Sequence, residues 1–63
     1  MVIKIKENRK SPGCYDLFVD GHRKIECESM TVCDNVWFSL VHHIEGEYSE
    51  ADEIAHSILA DMN

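Results

Sequence analysis

The spacing of apolar residues changes part-way along this chain, and that change restricts the fold more than any other feature. As far as Glu28 the apolar residues tend to alternate with polar ones; from Val32 onwards they recur with the period of a helix. Alternation marks a half-buried strand, and a 3.6-residue period marks an amphipathic helix. The chain therefore reads as strands first and helices after.

Met1–Glu7 sets Ile3 and Ile5 on one side and Val2, Lys4 and Lys6 on the other. Residues 8–13 (NRKSPG) have turn chemistry, punctuated by Pro12 and Gly13. Cys14–Val19 alternates again, with Tyr15, Leu17 and Val19 sharing a face. Asp20-Gly21 is a hairpin signal. Parity selects its loop. With two residues in the loop and an unbroken register, His22, Lys24 and Glu26 would face the core, because a one-residue slip turns every side chain over. A three-residue loop, Val19-Asp20-Gly21, is expected instead, placing Tyr15 opposite Ile25 and Leu17 opposite Arg23.

Thr31 is the expected N-cap of the first helix, with Asp34 three residues on to meet the free amides and the positive end of the dipole. Val32, Cys33, Val36, Trp37, Leu40, Val41 and Ile44 then form one apolar stripe, which places Trp37 in the core. Gly46 suits a helix end. Ser49 with Asp52 repeats the capping pattern, and Ala51, Ile54, Ala55, Ile58, Leu59 and Met62 form a second stripe. The expected architecture is a small two-layer α+β domain. It has a three-stranded antiparallel sheet followed by two helices packed on one face, as a single domain over residues 1–63.

Charge is distributed as unevenly as period. Residues 1–24 hold all six Lys and Arg and three acids, a net +3; residues 25–63 hold nine acids and no Lys or Arg, a net −9. A field of that sign repels nucleic acid and membranes and attracts basic surfaces. Direct nucleic-acid binding draws its affinity from cations on phosphates, so the balance argues against it. The three cysteines, Cys14, Cys27 and Cys33, are odd in number and irregularly spaced, which is not a disulfide framework. The N-terminal residues lack a signal-peptide run, and no apolar stretch approaches a membrane span. The expectation is a reduced, cytoplasmic protein.

A metal site needs N or S ligands at paired spacings, and His22, His42, His43, His56 and the cysteines provide none. No metal and no cofactor are expected. Protonating His42, His43 and His56 would weaken the negative field of this half. Catalysis is also not expected. Cys14 and Cys27 can approach across the hairpin without a His base, the glycines Gly13, Gly21 and Gly46 are isolated turn residues, and a chain of 63 residues leaves little room for a substrate pocket. Partner binding remains. Glu50, Asp52, Glu53 and Asp61 lie off the second apolar stripe, Glu45 and Glu47 flank the connecting turn, Glu26 and Glu28 lie on the polar side of the third strand, and Asp34 opens the first helix. A first helical turn favours carboxylates for its own sake. That preference does not account for the lack of any cation after Lys24, which leaves the like charges uncompensated. Phe38 lies about 130° from the centre of its stripe, beside Asp34, Asn35 and His42, and is a candidate contact.

The function expected from these residues is a small acidic, non-enzymatic protein-binding module. Its negative face would dock on the basic, nucleic-acid-binding surface of a partner protein, with carboxylates standing where phosphates would. Inhibitors of phage or mobile-element origin, such as anti-restriction and anti-CRISPR proteins, share this size and sign, an analogy of bulk properties alone. The alternative is a homodimeric structural or assembly accessory protein with Phe38 in its interface. A third reading is a metal- or redox-responsive regulator using the cysteines.

Overall fold

Alternation up to Glu28 produces three strands: β1 (Ile3–Glu7), β2 (Tyr15–Val19) and β3 (His22–Glu28), antiparallel and in the order β1-β2-β3. The helical periods produce α1 (Met30–His42) and α2 (Glu50–Asp61). The computed structural model describes residues 1–42 and 50–61; the expected stop at Gly46, the cap at Ser49, and Ile44 and Met62 of the stripes lie outside them. Both helices pack against the sheet, giving the expected α+β architecture. Among the described residues no helix is long and apolar enough to cross a membrane.

Pairing puts Ile3 opposite Val19 and Ile5 opposite Leu17, and Leu17 opposite Ile25. These side chains make the inner face of the sheet, where Leu17, Val19 and Ile25 are buried. The outer face carries a row across all three strands, Lys4–Phe18–Arg23. The Lys6 ammonium lies 5.4 Å from the Phe18 ring centroid, a cation–π distance.

The hairpin differs from expectation. Val19 pairs with His22, so the loop has two residues, Asp20 and Gly21, with φ of 50° and 85°. Two left-handed residues define the type I′ turn, whose twist matches that of the strands and which Asp-Gly favours. The parity objection disappears because the register is broken twice. Phe18 pairs with Arg23 but Leu17 with Ile25, so Lys24 is an extra residue that restores Ile25 to the core. Leu17 pairs with Ile25 but Tyr15 with Glu28, which leaves Glu26 and Cys27 both opposite Asp16. Cys27 takes the strained left-handed conformation there, φ 58°.

Asp16 holds that second bulge in place. The residue is 7% exposed, and its Oδ1 accepts the Cys27 amide at 2.9 Å and the Asn8 side-chain amide at 3.0 Å. Asn8 in turn accepts the amides of Lys10 and Ser11 through its own Oδ1, at 2.9 and 3.1 Å. One carboxylate thus joins the β1–β2 loop to the bulge in β3.

Helix α1 begins two residues earlier than Thr31 predicts. Ser29 is the cap: its Oγ accepts the Val32 amide at 3.2 Å and its carbonyl accepts the Cys33 amide at 3.0 Å. Thr31 lies exposed within the first turn. Ser29→Ala is expected to cost about 1 kcal/mol and Thr31→Ala less than about 0.5 kcal/mol, read from urea midpoints.

The buried arc of α1 holds Cys33, Val36, Ser39 and Leu40. Helix α1 lies against β2 and β3, whereas α2 packs chiefly on α1 through Ala51, Ala55 and Ile58. The two small alanines permit close approach. Trp37 is not in the core; it is 41% exposed. The reason is angular. At 100° per residue the stripe from Val32 to Val41 spans about 180°, more than the roughly 100° that a core-facing stripe needs. Because α2 docks on the side of Ser39, burial shifts towards Ser39 and leaves Trp37 and Val41 outside.

Candidate partner-binding surface

The exposed arc of α1 is as apolar as the buried one. Met30 (41% exposed), Trp37 (41%), Phe38 (46%) and Val41 (44%) stand on it. Helical geometry places all four within an arc of about 100° and a length of about 16 Å. Asp34 falls inside the same arc and is exposed. At its edge the Phe38 ring meets the His42 ring, centroids 4.2 Å apart and tilted by 40°. Scattered apolar residues on a surface need no explanation, but a contiguous patch does. Phe38 was legible from its angle. Trp37, Val41 and Met30 were not singled out, although the excessive width of the stripe was the signal that some of its members must be left uncovered.

Among the described residues the acids do not all share one face. Glu50, Glu53 and Asp61 are exposed on α2, and Asp34 is exposed on α1. Glu26 belongs to the outer face of the sheet, where its carboxylate lies 3.8 Å from Arg23. Glu28, past the bulge at Cys27, pairs with Tyr15, which packs on the core from the inner face. The bulge therefore sends these two strand acids to opposite sides of the sheet. Glu45 and Glu47 lie outside the described residues.

Asp52 departs from the expectation that it faces water. It is half-buried, and its Oδ1 accepts the hydroxyl of buried Ser39 at 2.5 Å, joining α2 to α1. Asp52→Lys is expected to cost about 1–2 kcal/mol by leaving the Ser39 hydroxyl buried without this acceptor. Glu53→Lys, one residue away and exposed, should change stability by less than about 0.5 kcal/mol. Paired urea titrations of the two variants check this directly.

Charge separates by layer. Every Lys and Arg lies at or before Lys24, so the described helices carry Asp34, Glu50, Asp52, Glu53 and Asp61 with no such cation among them. The cations occupy the sheet and its loop. Lys6, Arg9, Lys10 and Arg23 line a hollow of about 400 Å³ on the outer face, together with Phe18, but Glu7, Asp16 and Glu26 line it too and offset most of that charge. No match to this chain was found among family models, curated proteins or solved structures. The physical properties of its surfaces therefore carry the functional argument.

Three titratable groups with displaced pKa values, Cys14, Asp16 and Cys33, lie around the β2–β3 bulge. The Asn8 side-chain amide, then the Cys27 amide, hold Asp16 below the ordinary carboxylate range, with Arg23 assisting and burial opposing. Burial, then the charges of Glu28, Asp34 and Asp16, push the Cys33 thiol up; the Cys27 thiol, then burial and the acidic charges of Glu28 and Asp16, do the same to Cys14. Thiols held in the protonated form are weak nucleophiles. Among the described residues, no group of three or more His, Cys, Asp or Glu side chains converges to hold a metal. His22, His42 and His56 are exposed, and His43 lies outside the described residues.

Proposed function

We propose that this chain is a non-enzymatic protein-binding module that docks through its helical layer. The outer arc of α1 anchors it, and the acids Asp34, Glu50, Glu53 and Asp61 direct it to a cationic surface. The observation that supports this reading best is the set of four large apolar side chains at 41–46% exposure on one arc of one helix. They lie in a layer whose described residues include no Lys or Arg. Aromatic residues dominate interface energetics, while fields of one sign chiefly raise the rate of encounter. The two features thus have separate tasks: Trp37 and Phe38 hold the complex, and the carboxylates hasten its formation. A basic surface evolved to hold phosphates is the natural counterpart, so the module would act as an inhibitor of a nucleic-acid-binding protein by occupying that surface.

Affinity capture from host extract at low and high salt tests this reading. It compares the wild type with Trp37→Ala/Phe38→Ala and with Glu50→Lys/Glu53→Lys/Asp61→Lys, which leaves Asp52 and its bond to Ser39 intact. A nucleic-acid-binding partner lost in the first variant, and captured more slowly and with less dependence on salt in the second, supports the proposal. Retention of the same partner by both variants contradicts it.

A second reading, self-association as a homodimer, rests on the same apolar arc, since pairing two copies would enlarge a small core. Asp34 disfavours it. Arc-to-arc pairing of two copies brings another Asp34 to this surface and, among the described residues, only His42 as a potential cation, whereas a basic partner can offer Lys or Arg. Sedimentation velocity at micromolar concentration separates the two, with a monomer expected.

A further inference from the structure

The bulge held by Asp16 also brings two thiols together. Cys14 directly precedes β2 and, by alternation, shares the outer face with Asp16. Cys27 is one of the two β3 residues opposite Asp16, in the left-handed conformation, with its amide on the Asp16 carboxylate at 2.9 Å. The two cysteines therefore flank a single carboxylate on adjacent strands. Both are half-buried and reduced. The Cys27 thiol is the first cause of the raised Cys14 pKa, through a side-chain hydrogen bond, as expected of cysteines that flank one carboxylate on adjacent strands. Cys33 is kept apart: it is buried on the inner side, its Sγ 3.8 Å from the Tyr15 carbonyl.

We propose that Cys14 and Cys27 form an oxidation site, closing reversibly into an intramolecular disulfide between the start of β2 and the bulge of β3 on exposure to a small disulfide such as oxidised glutathione, while Cys33 stays reduced. Once deprotonated, one thiol of the pair attacks a glutathione sulfur, forming a mixed disulfide and expelling one glutathione thiolate; because Cys14 is held in the protonated form, the exchange is slow at neutral pH and quickens as pH rises. The second thiolate attacks the protein sulfur of that mixed disulfide, forming the Cys14–Cys27 bond and expelling the other. Two electrons pass from the cysteines to the glutathione disulfide, and the two protons lost by the cysteines end on the two released glutathione thiols. The new bond closes a short loop within a hairpin that is already ordered, so it constrains the unfolded chain more than the folded one.

The test is equilibration of the full chain in glutathione buffers of graded potential, followed by quenching, peptide mapping without reduction and thiol counting after denaturation. Expected are a monomer carrying a Cys14–Cys27 cross-linked peptide, one remaining thiol at Cys33, and a thermal midpoint raised by about 10 °C. Cys33→Ala should retain the cross-link. In Cys14→Ser or Cys27→Ser the remaining thiol should stop at the glutathione adduct. A wild-type map that shows stable glutathione adducts, linkage to Cys33 or only intermolecular bonds overturns the proposal. Because the wild-type map decides the matter, a variant that fails to fold leaves the test intact.

Discussion

Asp16→Ala should lower the thermal midpoint by more than about 10 °C, more than any other single surface-strand substitution in this chain. Its carboxylate accepts from the Cys27 amide and the Asn8 side chain, with Arg23 3.9 Å away. Removing it deprives the left-handed bulge of its anchor, leaves the Cys27 amide without this acceptor, and frees the Asn8 turn from the sheet. A chain of this size has a net stability of only about 3–5 kcal/mol, so such a loss is a large fraction of the whole. Asp16→Asn keeps the shape and one acceptor oxygen, and should lie between the alanine variant and the wild type. The pH dependence provides an independent check. Asp16 is held below the ordinary carboxylate range when folded, so its contribution is fully present above the unfolded value of about 3.9. It is lost as pH falls through the folded value, because the unfolded chain takes up the proton first. Urea midpoints measured from pH 7 downwards should therefore fall in the wild type below about pH 4, and fall less in Asp16→Asn.

The second large effect concerns binding. Trp37→Ala/Phe38→Ala should weaken partner affinity by more than about 100-fold, since truncating a buried interface aromatic commonly costs 2 kcal/mol or more. The same variant should keep its fold, because neither side chain belongs to the buried core of the free protein. Dissociation should accelerate while association changes little, the opposite of what reversing Glu50, Glu53 and Asp61 should do. Surface plasmon resonance with the captured partner separates the two rate constants. A double variant with unchanged dissociation would place the interface elsewhere on the molecule.

The architecture was legible because periodicity reports burial directly. Alternation gave three strands and the helical stripes gave two helices, in the order observed. What escaped the sequence were features set by contacts between distant residues. The hairpin loop was misjudged because parity assumes an unbroken ladder, and the extra residues at Lys24 and Cys27 interrupt it. Asp16 alternated as an outward strand acid and does lie on the outer face, yet Asn8, Arg23 and the Cys27 amide converge on it. Thr31 gained weight from Asp34 three residues later, whereas the short passage from β3 to α1 gives the cap to Ser29. Phe38 was found by its angle on the helix. Trp37 reads as core only if the whole stripe is buried, and three strands and one helix cannot cover an arc of about 180°. Asp52 was grouped with its exposed neighbours because nothing in the sequence announces that Ser39 faces it across the helix pair.

Trp37 is the single tryptophan of the chain and stands at one edge of the proposed contact, so it reports on that contact without a label. The decisive measurement is its fluorescence and acrylamide quenching as the captured partner is added in a tryptophan-free form. Docking through the outer arc of α1 should shift the emission to shorter wavelength and remove most of the quenching, with saturation matching the binding isotherm. A saturated complex in which Trp37 keeps the emission and quenching of the free protein would contradict the account.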